Sequence, residues 1–171
     1  GARLGRRFEG DEVTLEVACE TPDAESGNVH AELGPDTDDE VLVTSHLDAH
    51  DIAEGAMDNG AGTAMVVELA RALAAREDEL ETRVRFVCFG AEEVGLVGSE
   101  HEADRLGADR TKVKAIVNND GVVAGRTLKL HTHGFEELDD AAQTVSDRFD
   151  HDISTIPEQL PHSDHWPFVA H

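Results

Sequence analysis

The sequence comprises 171 residues, of which 39% are hydrophobic, and this is enough for one domain with a buried core. Asp and Glu number 37 against 14 Lys and Arg, and the resulting formal net charge of −23 argues against nucleic acid and anionic membranes as partners. No apolar run is long enough to span a bilayer and no leader peptide is visible, so we expect a soluble protein, cytoplasmic or secreted.

Such an acidic surface repels itself at low ionic strength, and salt screens the repulsion, with a Debye length of roughly 3 Å at 1 M. We therefore predict a salt-rich environment and a halophilic, archaeal source. Because most of these acids must be solvated, a single carboxylate is weak evidence for a site. Cys19 and Cys88 lie in apolar segments without CxxC spacing, which predicts buried, unreactive thiols.

The apolar pattern predicts an alternation of strands and helices along one domain, residues 1–171. Strands are expected at residues 12–20, 28–33, 41–46, 83–89, 113–117, 128–130 and 153–156. The first two of these could pair as a hairpin. Helices are expected at 60–76, at 135–149 and over part of 94–107, and residues 157–171 are irregular or partly helical. The inward positions of the helices are Met65, Leu69, Ala72, Leu73, Val97, Leu106, Leu138, Ala141, Ala142 and Val145.

Polar residues with metal-binding side chains follow three of the apolar runs. His46 follows the run at 41–43, Glu92 and Glu93 follow the run at 84–89, and Asp120 follows the run at 113–117. Buried runs separated by helices predict parallel strands, and hence a three-layer α/β fold with a mixed, largely parallel sheet. Sites in such sheets form beyond the carboxyl ends of the strands, so we expect these side chains to meet at one edge.

Asp58 lies where a loop turns into the helix at 60–76, and we expect it to reach the same edge. The adjacent Gly60 and Gly62 leave room for the backbone to approach a ligand. An acid at a helix N-terminus is also a plain capping residue, because the helix dipole stabilises it there. The neighbouring acids and His46 favour the interpretation of Asp58 as a carboxylate that bridges two metal ions.

His46 and Asp48 are two residues apart, so on an extended segment they project to the same side. This spacing suits His46 as a metal ligand that Asp48 orients. Glu92 and Glu93 face different ways and repel each other, so one can bind a cation while the other faces a substrate. Each of these residues alone has a structural explanation as a loop pair, an acidic turn or a cap, and only the ordered set indicates a metal site.

The motifs HLD, MDNGAG, GAEEVGLVGS, NND and HSDHWPF, from about residue 28 onward, resemble those of the co-catalytic di-zinc exopeptidases. This family includes bacterial leucine-type aminopeptidases, glutamate carboxypeptidase and the glutaminyl cyclases. The resemblance implies that Asp58 bridges two zinc ions, that His46 and Asp120 complete one of them, and that Glu93 holds the other. It also implies that Glu92 is the general base, that Asp48 supports His46, and that a cis peptide bond follows Asp58.

The chain departs from the family pattern near its end. The family's last zinc ligand is a histidine in a short motif after the segment that contains Ser163, Asp164 and His165, and we expect this chain to be a partial domain that stops before it. The resemblance places these three residues near the substrate pocket. The second zinc is then expected to be weak or absent unless a substitute histidine binds it, and His162, His165 and His171 are the alternatives.

The resemblance implies a zinc-dependent exopeptidase acting on a peptide or aminoacyl substrate, with an aminopeptidase favoured. Two zinc ions about 3.5–4 Å apart would lower the pKa of a water, and Glu92 would take its proton. A glutaminyl cyclase or carboxypeptidase on the same scaffold, and a non-catalytic homologue without a complete metal site, are the alternatives. For the other histidines, we expect His131 and His133 to be surface or capping residues and His50 to line the rim of a loop.

Overall fold

The computed structural model describes residues 10, 12, 14, 16–122 and 127–169. Strands and helices alternate along this part of the chain. They are β1 (Val29–Leu33), β2 (Glu40–His46), α1 (Ala61–Ala74), β3 (Arg83–Phe89), α2 (Val97–Leu106), β4 (Val113–Asn118), β5 (Leu128–His131), α3 (Glu136–Phe149), β6 (Ile153–Ile156) and the short helix α4 (Trp166–Val169). Irregular helical turns span Ala56–Gly60, Glu77–Glu79 and Gly107–Lys112.

The main sheet has the strand order β1-β3-β2-β4. β2 runs parallel to both β3 and β4, while β1 is antiparallel to β3. β5 and β6 form a separate parallel pair. The sheet is therefore mixed and largely parallel, as the apolar runs predict, and the carboxyl ends of β2, β3 and β4 lie side by side.

Helices cover both faces of the main sheet. On one face α1 contributes Val66 to a core with Val43 and Phe86. On the other face the ring of Phe89 lies 6.2 Å from the ring of Phe168 in α4. The side chains of β3 alternate between these two layers, as the period of two in a strand requires. The three-layer prediction is confirmed.

The prediction of an N-terminal hairpin is wrong. Residues 16–20 belong to no strand and are exposed, and Val13 and Leu15 lie outside the described residues. β1 pairs with β3 instead, from Val29 opposite Cys88 to Leu33 opposite Val84. The reason is that β3 carries apolar side chains that β1 can help to cover, whereas the segment at 16–20 meets no sheet edge. Cys19 is consequently exposed rather than buried, and Cys88 is half-buried.

The inward faces of the helices are also only partly as predicted. In α1 the buried positions are Gly62 and Val66, with Leu69 and Leu73 packed against the core, while Met65 and Ala72 are exposed. The stripe that packs on the core is Val66, Leu69, Ala70 and Leu73, which begins one residue after the predicted one. Exposed apolar side chains on the other helices include Val97, Leu138 and Val145.

The apolar run at 113–117 forms an edge strand rather than a buried one. Val117 in β4 is 48% exposed, because β4 is the last strand of the described sheet and only β2 pairs with it. In α3 the one buried side chain among the predicted set is Ala142. α3 packs mainly on β6, and a two-stranded sheet is too narrow to cover a wider face. None of the described helices combines the length and apolar character that a bilayer crossing requires.

A buried charge network ties α2 to the sheet. The guanidinium of Arg85 in β3 pairs with Glu40 in β2 and donates to Oε1 of Glu102 at 2.9 Å. Arg105 donates to the same carboxylate at 2.6 and 2.8 Å. Burial acts to raise the pKa of Glu102, but the hydrogen bond and charge of Arg105 outweigh it and hold that pKa below its ordinary value.

We expect Glu102→Gln to lower the free energy of unfolding by about 3 kcal/mol at pH 7, because it leaves the buried Arg85 with only Glu40 as a partner. A carboxylate with a lowered folded pKa stabilises the protein above its unfolded pKa. Its contribution is lost as the pH falls below the ordinary value of 4.5. Urea unfolding at pH 7 and in the acid range measures both effects.

The matched control is Glu100→Gln on the same helix, where the side chain is exposed and a change within about 0.5 kcal/mol is expected. The interpretation of the network is contradicted if the two variants unfold at the same urea concentration. It is equally contradicted if Glu102→Gln keeps the acid sensitivity of the parent protein.

Candidate metal centre

Three strand ends bring the predicted ligands together. In the parallel register His46, the last residue of β2, lies opposite Phe89, the last residue of β3. The backbone N–H of Leu47 donates to the carbonyl of Phe89 at 2.8 Å, so the two chains leave the sheet side by side. β4 ends at Asn118, two residues before Asp120. The edge that the sequence predicts for the site is therefore the edge where these segments emerge.

His46 lies at the centre of the cluster and is 1% exposed. Its Nε2 lies 3.0 Å from Oδ1 of Asp58 and 3.4 Å from Oδ1 of Asp120. Burial alone would lower the pKa of His46, but hydrogen bonding to Asp120 and its charge raise that pKa to about 9. The same contact lowers the pKa of Asp120. One imidazole nitrogen thus faces two carboxylates across an open corner of the protein.

The turn before α1 fixes Asp58. The peptide bond between Asp58 and Asn59 is cis, as the resemblance implies. Asn59 is buried; its Nδ2 donates to the carbonyl of Asn119 at 2.9 Å and its Oδ1 accepts from the N–H of Gly62 at 3.1 Å. A Cβ atom at Gly62 would collide with both asparagines. Gly62 therefore makes room for the side chain of Asn59 and the backbone carbonyl of Asn119, and the approach of a ligand to this turn stays a prediction.

Asp48 supports the site mainly through the backbone after β3. Its Oδ1 accepts from the N–H of Glu92 at 3.1 Å and its Oδ2 from the N–H of Glu93 at 3.2 Å. Nδ1 of His46 lies 3.1 Å from the carbonyl oxygen of Asp48 and 3.5 Å from its carboxylate. A single acid therefore orients the imidazole and holds the Glu92–Glu93 peptide in place.

Glu92 and Glu93 form a second group of donors with His46, with oxygen and nitrogen atoms within 4.8 Å of one another. Burial raises the pKa of Glu92 to about 7, although the charge of His46 opposes this. The first group of donors is His46, Asp58 and Asp120, so the two groups share His46. The role of Asp58 as the bridging ligand stays a prediction.

The segment at 162–165 approaches the first group of donors through Ser163. Its Oγ donates to Oδ2 of Asp120 at 2.5 Å and accepts from Nδ2 of Asn118 at 2.7 Å. Asp164 is fully buried, and burial raises its pKa to about 6. Burial also lowers the pKa of His165 to about 4. Neither His162 nor His165 belongs to a donor group among the described residues, and His171 lies outside them.

One histidine lies elsewhere than expected, and another has a contact that was not predicted. His133 is buried, not on the surface, and its ring centroid is 4.5 Å from that of His165. It was missed because it follows a short strand whose partner, β6, is remote in sequence. Nε2 of His50 lies 3.0 Å from Oε2 of Glu93. The sequence does contain a signal that His50 lies near the site, because His46, Asp48 and His50 are spaced two residues apart.

The chemistry of the donors fits zinc, which binds imidazole nitrogen and carboxylate oxygen. The acids that gather here are Asp48, Asp58, Glu92, Glu93 and Asp120. No Lys or Arg in the described part of the chain forms an ion pair with any of them, although the network around Glu102 shows that the fold can supply such partners. A divalent cation is the partner that these donors fit.

We expect Asp48→Asn to weaken zinc binding by about 10–100-fold, because an amide cannot accept hydrogen bonds from both Glu92 and Glu93 through two oxygens. Competition with a chromophoric chelator measures the affinity. Asp51→Asn, an exposed acid in the same loop, is the control and should bind zinc as the parent does. Equal affinity in the two variants would show that Asp48 does not organise the site.

Comparisons with known proteins place the chain among peptidases of similar sequence and fold. Aminopeptidase YwaD of Bacillus subtilis is 34% identical over 137 residues, which cover 76% of this chain and 30% of the relative. The structure matches that of BSAP, a zinc aminopeptidase from Bacillus subtilis, with a TM-score of 0.73 and 28% identity over 84% of this chain. The chain spans only 37% of that protein.

A glutaminyl cyclase from an Acidobacteriales bacterium also matches, with a TM-score of 0.71 over 84% of this chain and 54% of that one. Its sequence identity is 20%, so the match shows a shared fold alone. The model of peptidase family M28 matches residues 28–171. The chain therefore belongs to peptidase family M28, in agreement with the resemblance of its motifs.

Proposed function

We propose that the protein is a zinc-dependent exopeptidase, acting as an aminopeptidase that removes residues from the amino terminus of a peptide. The observation that carries this proposal is the convergence of His46, Asp58 and Asp120, with Glu92 beside them, at one edge of the sheet. Two of the matched proteins, YwaD and BSAP, are described as aminopeptidases, which supports cleavage at the amino terminus.

The residues present would hold two zinc ions. His46 and Asp120 would bind one ion, Glu93 the other, and Asp58 both. When bound, zinc polarises a carbonyl oxygen and lowers the pKa of water towards about 7. The half-buried position of Glu93 and the burial of His46 favour binding, because a desolvated donor set gains more from a cation than an exposed one.

Glu92 is proposed as the general base. In its ionised form, one of its carboxylate oxygens accepts a proton from water as the water oxygen bonds to the scissile carbonyl carbon. Glu92 then donates that proton to the amide nitrogen as the carbon–nitrogen bond breaks, which leaves a carboxylic acid and a free amine. Burial raises the pKa of Glu92 to about 7, and a base is most effective when its pKa is near the working pH.

Ser163 and Asp48 would keep the acids in the geometry that this reaction needs. Ser163 binds one oxygen of Asp120 and leaves the other directed towards His46. Asp48 anchors the peptide between Glu92 and Glu93, so that Glu93 can face a metal while Glu92 faces the substrate. These are neutral or backbone contacts, and they fix position without cancelling the charge of the acids.

We expect Glu92→Gln to reduce the release of the amino acid from an aminoacyl anilide by about 10²–10⁴-fold while zinc content stays unchanged, because the amide keeps the shape but cannot accept the proton. The assay compares kcat/KM of the intact protein and its variant, with bound metal measured in both. Glu54→Gln, an exposed residue of the preceding loop, is the matched control and should keep full activity.

The possible outcomes separate the parts of the proposal. A fully active Glu92→Gln variant with normal zinc content would exclude Glu92 as the base. An intact protein that binds no zinc and releases no amino acid would favour the non-catalytic alternative. Zinc binding with turnover of carboxy-terminal or glutaminyl substrates alone would move the activity to the carboxypeptidase or cyclase alternative.

A further inference from the structure

Asn28 contacts both ends of the loop at 90–96, which carries the two adjacent glutamates of the site from β3 to α2. Its Oδ1 accepts from the N–H of Gly90 at 3.2 Å, and its Nδ2 donates to the carbonyl of Gly98, in the first turn of α2, at 2.8 Å. Asn28 is half-buried and lies directly before β1, far in sequence from the proposed ligands. Its amide thus joins the start of the loop to its end.

Glycine at both contact points lets separate stretches of backbone approach closely. A Cβ atom on Gly90 would collide with Oγ of Ser26 and with the carbonyl oxygen of Gly27. A Cβ atom on Gly98 would collide with the carbonyl oxygen of Gly90 and with Oδ1 of Asn28. Because no side chain fits into this contact, the segment that ends at Asn28 packs against the backbone at both ends of the loop.

One peptide unit connects Asn28 to the segment that follows β2. Its N–H, from Gly90, donates to Asn28. Its carbonyl oxygen, from Phe89, accepts from the N–H of Leu47 at 2.8 Å. Asp48, the residue after Leu47, in turn binds the N–H groups of both glutamates. A displacement at Asn28 would therefore reach the glutamates through the backbone that these hydrogen bonds hold.

The loop needs such support because part of its backbone is strained. Ala91 and Leu96 both have a φ of 60°, in the left-handed region that residues with a Cβ seldom adopt. Within the loop, the N–H groups of Gly95 and Leu96 donate to the carbonyl of Glu92 at 2.9 Å. These bonds fold the loop onto itself but do not attach it to the sheet. Asn28 supplies an attachment at the point where the loop leaves β3.

We propose that Asn28 is a positioning residue that holds Glu92 and Glu93 in place relative to the ligands on the neighbouring strand ends. This inference rests on the proposed function, which gives the two glutamates the roles of base and ligand. Asn28 touches neither metal nor substrate in this role and acts only through Gly90 and Gly98. An amide suits the position because it offers one acceptor and one donor group, whereas an ionised aspartate of the same shape has no donor.

The test compares Asn28→Ala with Thr37→Ala, a matched control at the opposite end of β3. Oγ of Thr37 accepts from the N–H of Arg83, the first residue of β3, at 3.0 Å, so each variant removes a hydrogen bond between a side chain and the backbone. In Asn28→Ala at saturating zinc, kcat for an aminoacyl anilide should fall by about 10²-fold with KM within about twofold, because a misplaced base affects the transition state more than substrate binding. Thr37→Ala should keep both constants, even where urea unfolding shows an equal loss of stability.

Zinc binding reads the same displacement without turnover. The affinity, measured by competition with a chromophoric chelator, should fall by about 10–100-fold in Asn28→Ala, as expected when the support of a ligand is lost, and should not change in Thr37→Ala. Asn28→Asp keeps the acceptor for Gly90 but turns an oxygen towards the carbonyl of Gly98. It should therefore be as impaired as Asn28→Ala in both measurements, and it carries the comparison where Asn28→Ala does not fold.

The outcomes separate this inference from the proposed function. If the parent protein binds zinc and releases amino acid, an Asn28→Ala variant that equals Thr37→Ala in kcat and zinc affinity would overturn the inference alone. An Asn28→Asp variant with the activity of the parent would do the same, because the donor to Gly98 would then be dispensable. A parent protein that neither binds zinc nor releases amino acid would overturn both.

Discussion

The carboxylates that gather beyond β2, β3 and β4 repel one another, and hydrogen bonds from the surrounding structure hold them together. In the described part of the chain the basic side chains that contact them are imidazoles, with His46 in the centre and His50 at the rim. Like charges placed this closely disfavour ionisation unless a cation compensates them. The charges that gather at this edge therefore specify a cation as the ligand that fits it.

Neutral amide and hydroxyl groups hold the acids of the site in place. Asn59 and Asn119 bind each other around Gly62, while Asn118 connects Thr44 in β2 to Ser163 and so to Asp120. Hydrogen bonds of this kind fix an acid without neutralising it, whereas a Lys or Arg in the same place would compete with the metal. The asparagines at the end of β4 and before α1 thus explain how a site of like charges remains ordered.

The parts of this site that sequence could predict are those set by strand ends. A buried run followed by an acid or a histidine locates His46, Glu93 and Asp120 without any knowledge of distances, because parallel strands share an edge. What sequence could not predict depends on partners remote in the chain. β1 pairs with β3 and not with the segment at 16–20, and His133 is buried against His165. Both partners lie more than 30 residues away in the chain, so a local pattern cannot reveal them.

The inward face of α1 was misassigned for a more local reason. Its buried stripe consists of Val66, Leu69, Ala70 and Leu73, which repeat at spacings of three and four residues. Met65 lies one position before this stripe and is exposed. Apolar stripes that start one residue apart both satisfy the helical period, and the sheet against which the helix packs decides between them.

In so acidic a chain, burial does not by itself distinguish a functional carboxylate from a structural one. Glu102 is buried, but Arg85 and Arg105 compensate its charge, and its pKa is lowered accordingly. Glu92 has no such partner among the described residues, and its pKa is raised to about 7. A functional carboxylate is distinguished from a structural one because it is desolvated and no guanidinium contacts it. Dissolved salt can screen the exposed acids of the surface. The desolvated acids of the site can be compensated only by an ion that enters the site.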